Sequence, residues 1–204
     1  MAFAVLYLPL VAEFGGSRGE VATVQSAVFL LSGFGSPLIG WAFDRLGPRR
    51  LFQGGAVLAA IALALASQAE SLTMLVVTYG LLGGLGLATL GSQANMVVAA
   101  LWYPSARGRA IALADLGTGF GAFCFIPLGQ ALVGTVGWRT TLLVWAALLL
   151  VVVLPLNALQ RLPARETSRP TEATGPAAAW TVGGAVRSKP FLWLAATRFF
   201  GACA

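Results

Sequence analysis

Charged residues in this chain fall in short clusters that separate long apolar runs. Five runs contain no Asp, Glu, Lys or Arg over 19 to 36 residues: 21–43, 51–69, 71–106, 116–138 and 140–160. A helix of about 20 residues crosses a hydrocarbon core about 30 Å thick. Each run therefore predicts a membrane-spanning helix.

Two shorter apolar segments lie at the ends of the chain. Residues 1–14 are apolar except for Glu13, and residues 190–204 begin a further apolar segment. The first segment has neither a basic leader nor a cleavage site, which argues against a signal peptide. We expect both to be parts of spans, so that the chain is a fragment. The predicted helices are about 1–14, 20–43, 51–69, 73–102, 107–134 and 139–160, with a seventh starting at 190.

Composition supports a membrane protein and argues against other classes. Hydrophobic residues make up 58% of the 204 positions, and the net charge is +6. The basic residues lie between apolar runs, whereas a nucleic-acid-binding protein concentrates them on one solvated face. The chain has no histidine, two cysteines within apolar segments and no clustered carboxylates. These features predict no enzyme, metal site, cofactor or disulfide framework.

The distribution of basic residues predicts the topology. If the first segment runs outward, one side of the membrane receives ten basic residues: Arg45, Arg49, Arg50, Arg107, Arg109, Arg161, Arg165, Arg169, Arg187 and Lys189. The other side receives only Arg18 and Arg139. This bias predicts that the first set is cytoplasmic. Residues 161–189, rich in Pro, Thr, Ala and charge, then form a cytoplasmic linker between two helical bundles.

The stretch "GWAFDRLGPRR" between the second and third predicted helices carries a recognisable motif. Its key residues are Gly40, Asp44, Arg45, Gly47, Arg49 and Arg50. The spacing resembles the G-x-x-x-D-R-x-G-R-R loop motif of the major facilitator superfamily, with Pro48 inserted. The resemblance implies a gating role for these six residues. The alternative is a plain hairpin loop whose arginines only set the topology.

Further stretches resemble one branch of that superfamily, the monocarboxylate porters and oxalate/formate exchangers. They are "LYLPLVAEFGGSRG", the G-P-R variant at Gly47, "WYPSARGRAIAL" and "GWR". The resemblance implies an all-α membrane protein of twelve helices in two halves. This chain then holds the six-helix N-terminal bundle (1–160), the linker and the start of helix 7. One departure is that the only lysine is Lys189, whereas eukaryotic monocarboxylate carriers have a lysine in the first helix.

The same resemblance implies the activity and its setting. It implies a secondary transporter of a monocarboxylate or dicarboxylate that works by alternating access, with or without protons, as one full-length chain. We expect a multi-pass protein of the plasma membrane, the inner membrane in a bacterium. The alternatives are a major facilitator exporter of amphiphilic compounds, and a channel or receptor-like relative with the same bundle.

Polar residues within the predicted spans are candidates for substrate binding. Asp115 and Arg198 lie about 15 Å and 12 Å into their helices from the same face. Ionisable groups at such depth are costly unless they face a cavity or a partner, so a structural ion pair is the alternative. Ser92, Gln93 and Asn95 are candidates to bind substrate or to join helices. The glycines of the fourth and fifth helices predict close packing: Gly80, Gly83, Gly84, Gly86, Gly117 and Gly121.

The charge bias makes a testable prediction about topology. Reporters fused near Thr174 should behave as cytoplasmic, and reporters fused after Arg18 as external, because ten basic residues fall on one side and two on the other. Paired alkaline phosphatase and fluorescent-protein fusions measure this. A cytoplasmic signal at both positions would contradict the six-helix topology.

Overall fold

The computed structural model describes residues 2–15, 17–103 and 105–159, all of which belong to one compact unit. These residues form helices and no strands. Together with the apolar spans described below, this confirms the predicted class, an all-α membrane protein. The predicted linker 161–189 and the segment 190–204 lie outside the described residues.

The helices follow one another with short connections. They are α1 (Ala2–Phe14), α2 (Arg18–Ala66), α3 (Leu72–Leu75), a π-helical segment (Val76–Gly83), α4 (Gly84–Thr89), α5 (Ser92–Trp102), α6 (Arg107–Leu148), a π-helical turn (Leu149–Val153) and α7 (Leu154–Ala158). Three continuous stretches are long and apolar enough to cross a membrane: Arg18–Ala66, Leu72–Trp102 and Arg107–Ala158. Leu72–Trp102 is called the central span below.

Helix α2 reverses direction at Gly47. A straight helix of its 49 residues would be about 74 Å long, more than twice the hydrocarbon thickness. Gly47 has φ of +75° and ψ of 164°, a backbone conformation that residues with a Cβ rarely adopt. Pro48 follows, where its fixed φ suits the first turn of a new helix. The result is a first arm (18–46) and a second arm (48–66).

Contacts of the central span show that the two arms are antiparallel. Along the first arm, the residue numbers of the two partners increase together: Gly80 contacts Ala27, and Gly84 contacts Val28. Along the second arm, the partner's residue number decreases as that of the central span increases: Gly83 contacts Ala62, and Gly86 contacts Ala59. The central span therefore runs parallel to one arm and antiparallel to the other, and its glycines let the backbones approach closely.

A second reversal occurs in α6 at Gly137, which has φ of +81° and ψ of 164°. The chain after it folds back on the chain before it. The Phe125 and Trp145 rings lie 5.2 Å apart, and the Trp145 ring lies 3.3 Å from the position that a Cβ on Gly129 would take. Gly137 therefore also separates two antiparallel arms.

Arg139 ties three helix ends together. Its Nη2 lies 2.7 Å from Glu13 Oε1 at the end of α1, and its Nη1 donates to the Ser67 carbonyl, 2.9 Å away, at the end of α2. Trp138 Nε1 donates to the other oxygen of Glu13, and the Arg139 guanidinium lies 4.6 Å from the Trp138 ring centroid. These contacts define the Arg139 end of the bundle. The Gly47 turn defines the opposite end.

Apolar side chains are exposed on the outside of the bundle. Phe34 and Phe123 are each 78% exposed and Phe120 is 71% exposed, which suits contact with lipid or with further helices. The glycines of α6 differ from the expectation of close packing. Apart from their sequence neighbours and the backbone of their own helix, no described atom lies within 4 Å of a Cβ placed on Gly117 or Gly121.

Replacement of Gly86 should destabilise the bundle. A Cβ there would lie 2.6 Å from the Ala59 nitrogen and 2.8 Å from its Cα, and backbone atoms cannot move aside as a side chain can. We expect Gly86→Ala to lower stability by about 1–3 kcal/mol. The measurement is the apparent unfolding temperature in detergent.

The matched control is Gly121→Ala, also at a helical position. It meets no described atom within 4 Å, and alanine favours helix over glycine by about 1 kcal/mol. We expect an unchanged or slightly higher unfolding temperature. Equal losses in the two variants would contradict the assigned contact between the central span and the second arm.

Candidate functional site

A groove lies between the first arm of α2 and the central span. Its volume is about 900 Å³, near the upper end of the range of about 300–1,000 Å³ usual for small-molecule pockets. It extends along the first arm from Gln25 to Asp44, a rise of about 28 Å. The groove thus follows nearly the full length of a span.

Most of the groove wall is apolar, with polar groups placed at intervals. The apolar part includes Val28, Phe29, Ile39, Phe43, Leu87 and Val97. The neutral polar residues that line the groove are Gln25, Ser32, Ser36, Tyr79, Ser92 and Gln93. No Lys or Arg of the described residues lines it, and its charged lining residue is Asp44. Such a surface suits a small molecule with an apolar part and oxygen atoms that form hydrogen bonds.

Two of the serines already use their hydroxyl protons. Ser36 Oγ donates to the Ser32 carbonyl at 2.6 Å, and Ser32 Oγ donates to the Gly84 carbonyl at 3.4 Å. The second bond joins the first arm of α2 to the central span. Within the described residues, the side chains of Gln25, Tyr79, Ser92 and Gln93 form no hydrogen bond. These four are the groups with donors available to a ligand.

The groove reaches residues of the loop motif. Gly40 and Asp44 both line it near the Gly47 end. Asp44 forms no ion pair with any residue that the structure describes, although Arg45 is its neighbour in sequence. The Arg45 guanidinium instead lies 4.5 Å from the Trp41 ring centroid. Asp44 is exposed and available to a partner from outside the described residues.

The other arginines of the motif follow the reversal. Arg49 and Arg50 are exposed in the first turn of the second arm, directly after Gly47 and the buried Pro48. No atom of another described helix lies within 4 Å of a Cβ placed on Gly40, so no helix approaches closely at that glycine. Gly47 has the left-handed conformation that its tight reversal requires.

The predicted binding residues occupy different places. Gln93 lines the groove. Asn95 does not, and its Nδ2 donates to the carbonyls of Leu90 and Gly91, each 3.2 Å away. These two residues separate α4 from α5, so the Asn95 amide stabilises the bend in the central span.

Of the two ionisable candidates, the structure describes Asp115. Asp115 is exposed on the first arm of α6 and does not line it. Arg198 lies outside the described residues. Of the predicted binding residues Asp115, Gln93 and Asn95, the structure places Gln93 alone in the groove that the motif residues Gly40 and Asp44 also line.

Sequence reasoning missed four of the polar lining residues: Gln25, Ser32, Ser36 and Tyr79. The first three are polar positions seven and four residues apart in an apolar helix, a spacing that puts them on one face. That signal was available in the sequence. Tyr79 carries no such signal, because its place in the groove depends on which helix packs beside it.

Comparison with known proteins gives the family. The profile of the Major Facilitator Superfamily matches residues 1–204. The chain is 36% identical over 152 residues to rat "Monocarboxylate transporter 13", an alignment covering 74% of this chain and 35% of that protein. It is 34% identical over 149 residues to mouse "Monocarboxylate transporter 3", covering 73% and 30% respectively. The chain thus spans about a third of the length of these curated relatives.

Variants at Gln93 and Asn95 should separate binding from structure. Gln93→Ala removes an exposed side chain with no hydrogen bond in the described structure, so we expect unchanged stability and weaker binding of a groove ligand. Asn95→Ala removes the bonds to two carbonyls, so we expect a loss of about 1–2 kcal/mol of stability. Unfolding temperature and apparent transport affinity are measured for both. The reverse pattern would contradict the assignment of Gln93 to the groove.

Proposed function

Since the chain belongs to the major facilitator superfamily, we propose that it forms the first half of a secondary transporter of a small organic anion that works by alternating access. The observation that carries the proposal is the groove beside the first arm of α2. It runs nearly the length of a span and carries neutral polar groups on an apolar wall. A transporter needs such a surface at the boundary between two halves that rock about the substrate.

The relatives support a monocarboxylate as the substrate class. The names of the two relatives reported above specify monocarboxylate transport, and we extend that class to this chain. A carboxylate entering a low-dielectric cavity loses its hydration and requires a positive partner. The described part of the groove has no lining cation. We assign that role to Arg198, whose planar guanidinium can form two parallel hydrogen bonds to a carboxylate.

We assign the uncharged contacts to the groove itself. Gln93 is the substrate-binding candidate that lines it. Asn95 supports the bend from which Gln93 projects, so we place it in the site's framework. Asp115 is exposed on another helix, where it can pair with a cation of the second half; Arg198 is one candidate.

The loop motif is proposed as a gate at the Gly47 end. Asp44 lines the end of the groove and has no ion pair in the described part of the chain. A carboxylate there can pair with the second half in one state and release it in the other, which would bias the equilibrium between the states. Gly40 leaves open space beside this end of the groove. Gly47 provides the turn, while Arg45, Arg49 and Arg50 keep the loop at the membrane surface.

An exporter of amphiphilic compounds is the second candidate. The predominantly apolar groove wall favours it, since an amphiphile with a bulky apolar part would bury that part there. Neither proposal includes a catalytic role, a cofactor or a nucleic-acid partner. In both, the protein crosses the bilayer several times and works as one full-length chain. Residence in a bacterial inner membrane is part of our proposal and gains no support from the relatives above, which are mammalian.

Counterflow in proteoliposomes tests the function. Vesicles loaded with an unlabelled monocarboxylate should transiently accumulate the labelled compound above its external concentration, because an alternating carrier exchanges the two across the membrane. A channel gives equilibration with no overshoot. Competition by cationic dyes without competition by carboxylates would favour the exporter and contradict the anion proposal.

The gate is tested with Asp44→Asn in the same assay. This variant keeps the shape of the side chain and removes its charge, so we expect normal membrane insertion and about tenfold slower exchange, the equivalent of about 1.4 kcal/mol. Glu70→Gln, which removes an exposed carboxylate between α2 and α3 and outside the groove, provides the matched control. If Asp44→Asn exchanges at the wild-type rate at equal expression, the motif serves only to set the topology.

A further inference from the structure

A row of exposed apolar side chains on the first arm of α2 ends at an arginine. Its members recur every three or four residues, a spacing that places them within an arc of about 80° on one face of the helix. They are Leu30, Phe34, Leu38, Trp41 and Arg45, called the Arg45 stripe below. The four apolar members are between 57% and 78% exposed. A continuous exposed row of this kind is typical of a surface that binds a partner.

The Arg45 stripe faces away from the groove. Groove-lining residues of the same arm, such as Gln25, Ser32 and Phe43, lie about half a turn from the stripe around the helix axis. The proposed function places the boundary with the second half at the groove. We therefore expect the stripe to face the lipid rather than the second half.

The length of the stripe matches one leaflet of a bilayer. From Phe34 to Arg45 the helix rises about 16 Å, and one leaflet of a hydrocarbon core about 30 Å thick is about 15 Å deep. Trp41 lies one turn before Arg45, and tryptophan is enriched at the boundary between hydrocarbon and headgroups. A lipid whose acyl chain lay along Phe34 and Leu38 would therefore have its phosphate at the level of Arg45.

Arg45 is oriented to bind an anion on this outer face. Its guanidinium lies 4.5 Å from the Trp41 ring centroid, and it forms no ion pair within the described residues. Stacking on an aromatic ring restricts the guanidinium and leaves its N–H groups available for two parallel hydrogen bonds to a phosphate. Adjacent helical residues point about 100° apart, so the neighbouring Asp44 lines the groove instead.

The charge around Arg45 selects a lipid with a negative headgroup. Five exposed arginines of the described residues lie at the Gly47 end: Arg45, Arg49, Arg50, Arg107 and Arg109. The last two are there because the central span runs parallel to the first arm and ends shortly before α6 begins. This positive field favours a phospholipid of net negative charge over a zwitterionic one.

We infer that the Arg45 stripe binds one anionic phospholipid, with the phosphate on Arg45 and an acyl chain along Leu38 and Phe34. The inference goes beyond the proposed function and uses it only for the side on which the second half lies. The ligand is a phosphate diester joined to an acyl chain, so a phosphate without a chain makes only part of the contact. The bound lipid lies beside the loop motif and does not compete for the groove.

Native mass spectrometry of the full-length protein in detergent tests this inference. The protein is titrated with phosphatidylglycerol and with phosphatidylcholine of the same acyl chains. We expect wild type to bind one phosphatidylglycerol about tenfold more tightly than phosphatidylcholine. Arg45→Gln removes the charged phosphate contact and should weaken phosphatidylglycerol binding about threefold to tenfold. Binding of phosphatidylcholine should change less than about twofold, because the positive field contributes little to a zwitterionic headgroup.

Arg18→Gln is the matched control. Arg18 is exposed in the first turn of the same helix, about 40 Å along the chain's two turns of direction-free helix from Arg45. The variant removes the same charge at the Arg139 end, so the preference for phosphatidylglycerol should stay unchanged. Leu38→Ala tests the acyl-chain contact independently. It keeps every charge and should weaken phosphatidylglycerol binding about threefold through lost apolar contact.

Three outcomes would overturn the inference. Equal losses in Arg18→Gln and Arg45→Gln would show that the lipid preference comes from overall charge. Displacement of phosphatidylglycerol by glycerol phosphate at equal concentration would show a phosphate site without an acyl-chain contact. Unchanged lipid binding in both stripe variants, with a lower unfolding temperature for Leu38→Ala, would show that the second half packs on the stripe. Each result concerns lipid binding alone, whereas counterflow tests the proposed function separately.

Discussion

The close approach of the central span to both arms of α2 is the contact on which the described bundle depends. Glycines at four positions of one helix allow backbone contact on two sides: Gly80, Gly83, Gly84 and Gly86. Within a bilayer, moving apolar side chains from lipid into a helix interface gains little free energy, because the lipid tails are also apolar. Helix association therefore relies on close van der Waals packing and a few hydrogen bonds. Small residues let the helix backbones approach closely enough for this packing.

This contact also determines the shape of the groove. The central span touches the first arm of α2 at Gly80 and Gly84, and its helix is interrupted at Leu90 and Gly91. The Ser32 hydroxyl and the Gly84 carbonyl join the two walls. Polar groups therefore remain available on both sides of this contact: Gln25 and Tyr79 on one side, Ser92 and Gln93 on the other.

The two ends of the bundle differ in how firmly they are tied. At the Arg139 end, a charge pair, a backbone carbonyl and an indole bring α1, α2 and α6 together. At the Gly47 end, Asp44 has no ion pair within the described residues, and Arg45 packs on Trp41. This difference between the ends is the basis for our proposal that the second half engages and releases the bundle at the Gly47 end.

The sequence by itself determined the class of the protein and the positions of its turns. Hydrophobic run length is a local property fixed by the bilayer thickness, so the runs alone predicted an all-α membrane protein. The loop motif pointed to the superfamily, and Gly47 was interpretable as a reversal because positive φ is a property of single residues. Gly137 has the same positive φ. In the sequence, its stretch "GWR" was noted only for its resemblance to the transporter family.

Only the tertiary structure decided which polar residues share a surface. Gln93 and Asn95 are two positions apart and equally plausible in sequence, yet one lines the groove and the other bonds the bend of its own helix. Tyr79 gave no signal, because its environment is made by Phe3 and by the first arm of α2, both remote in sequence. Burial and hydrogen-bond partners depend on helix rotation and packing between distant segments, and a linear pattern records only the periodicity within each segment.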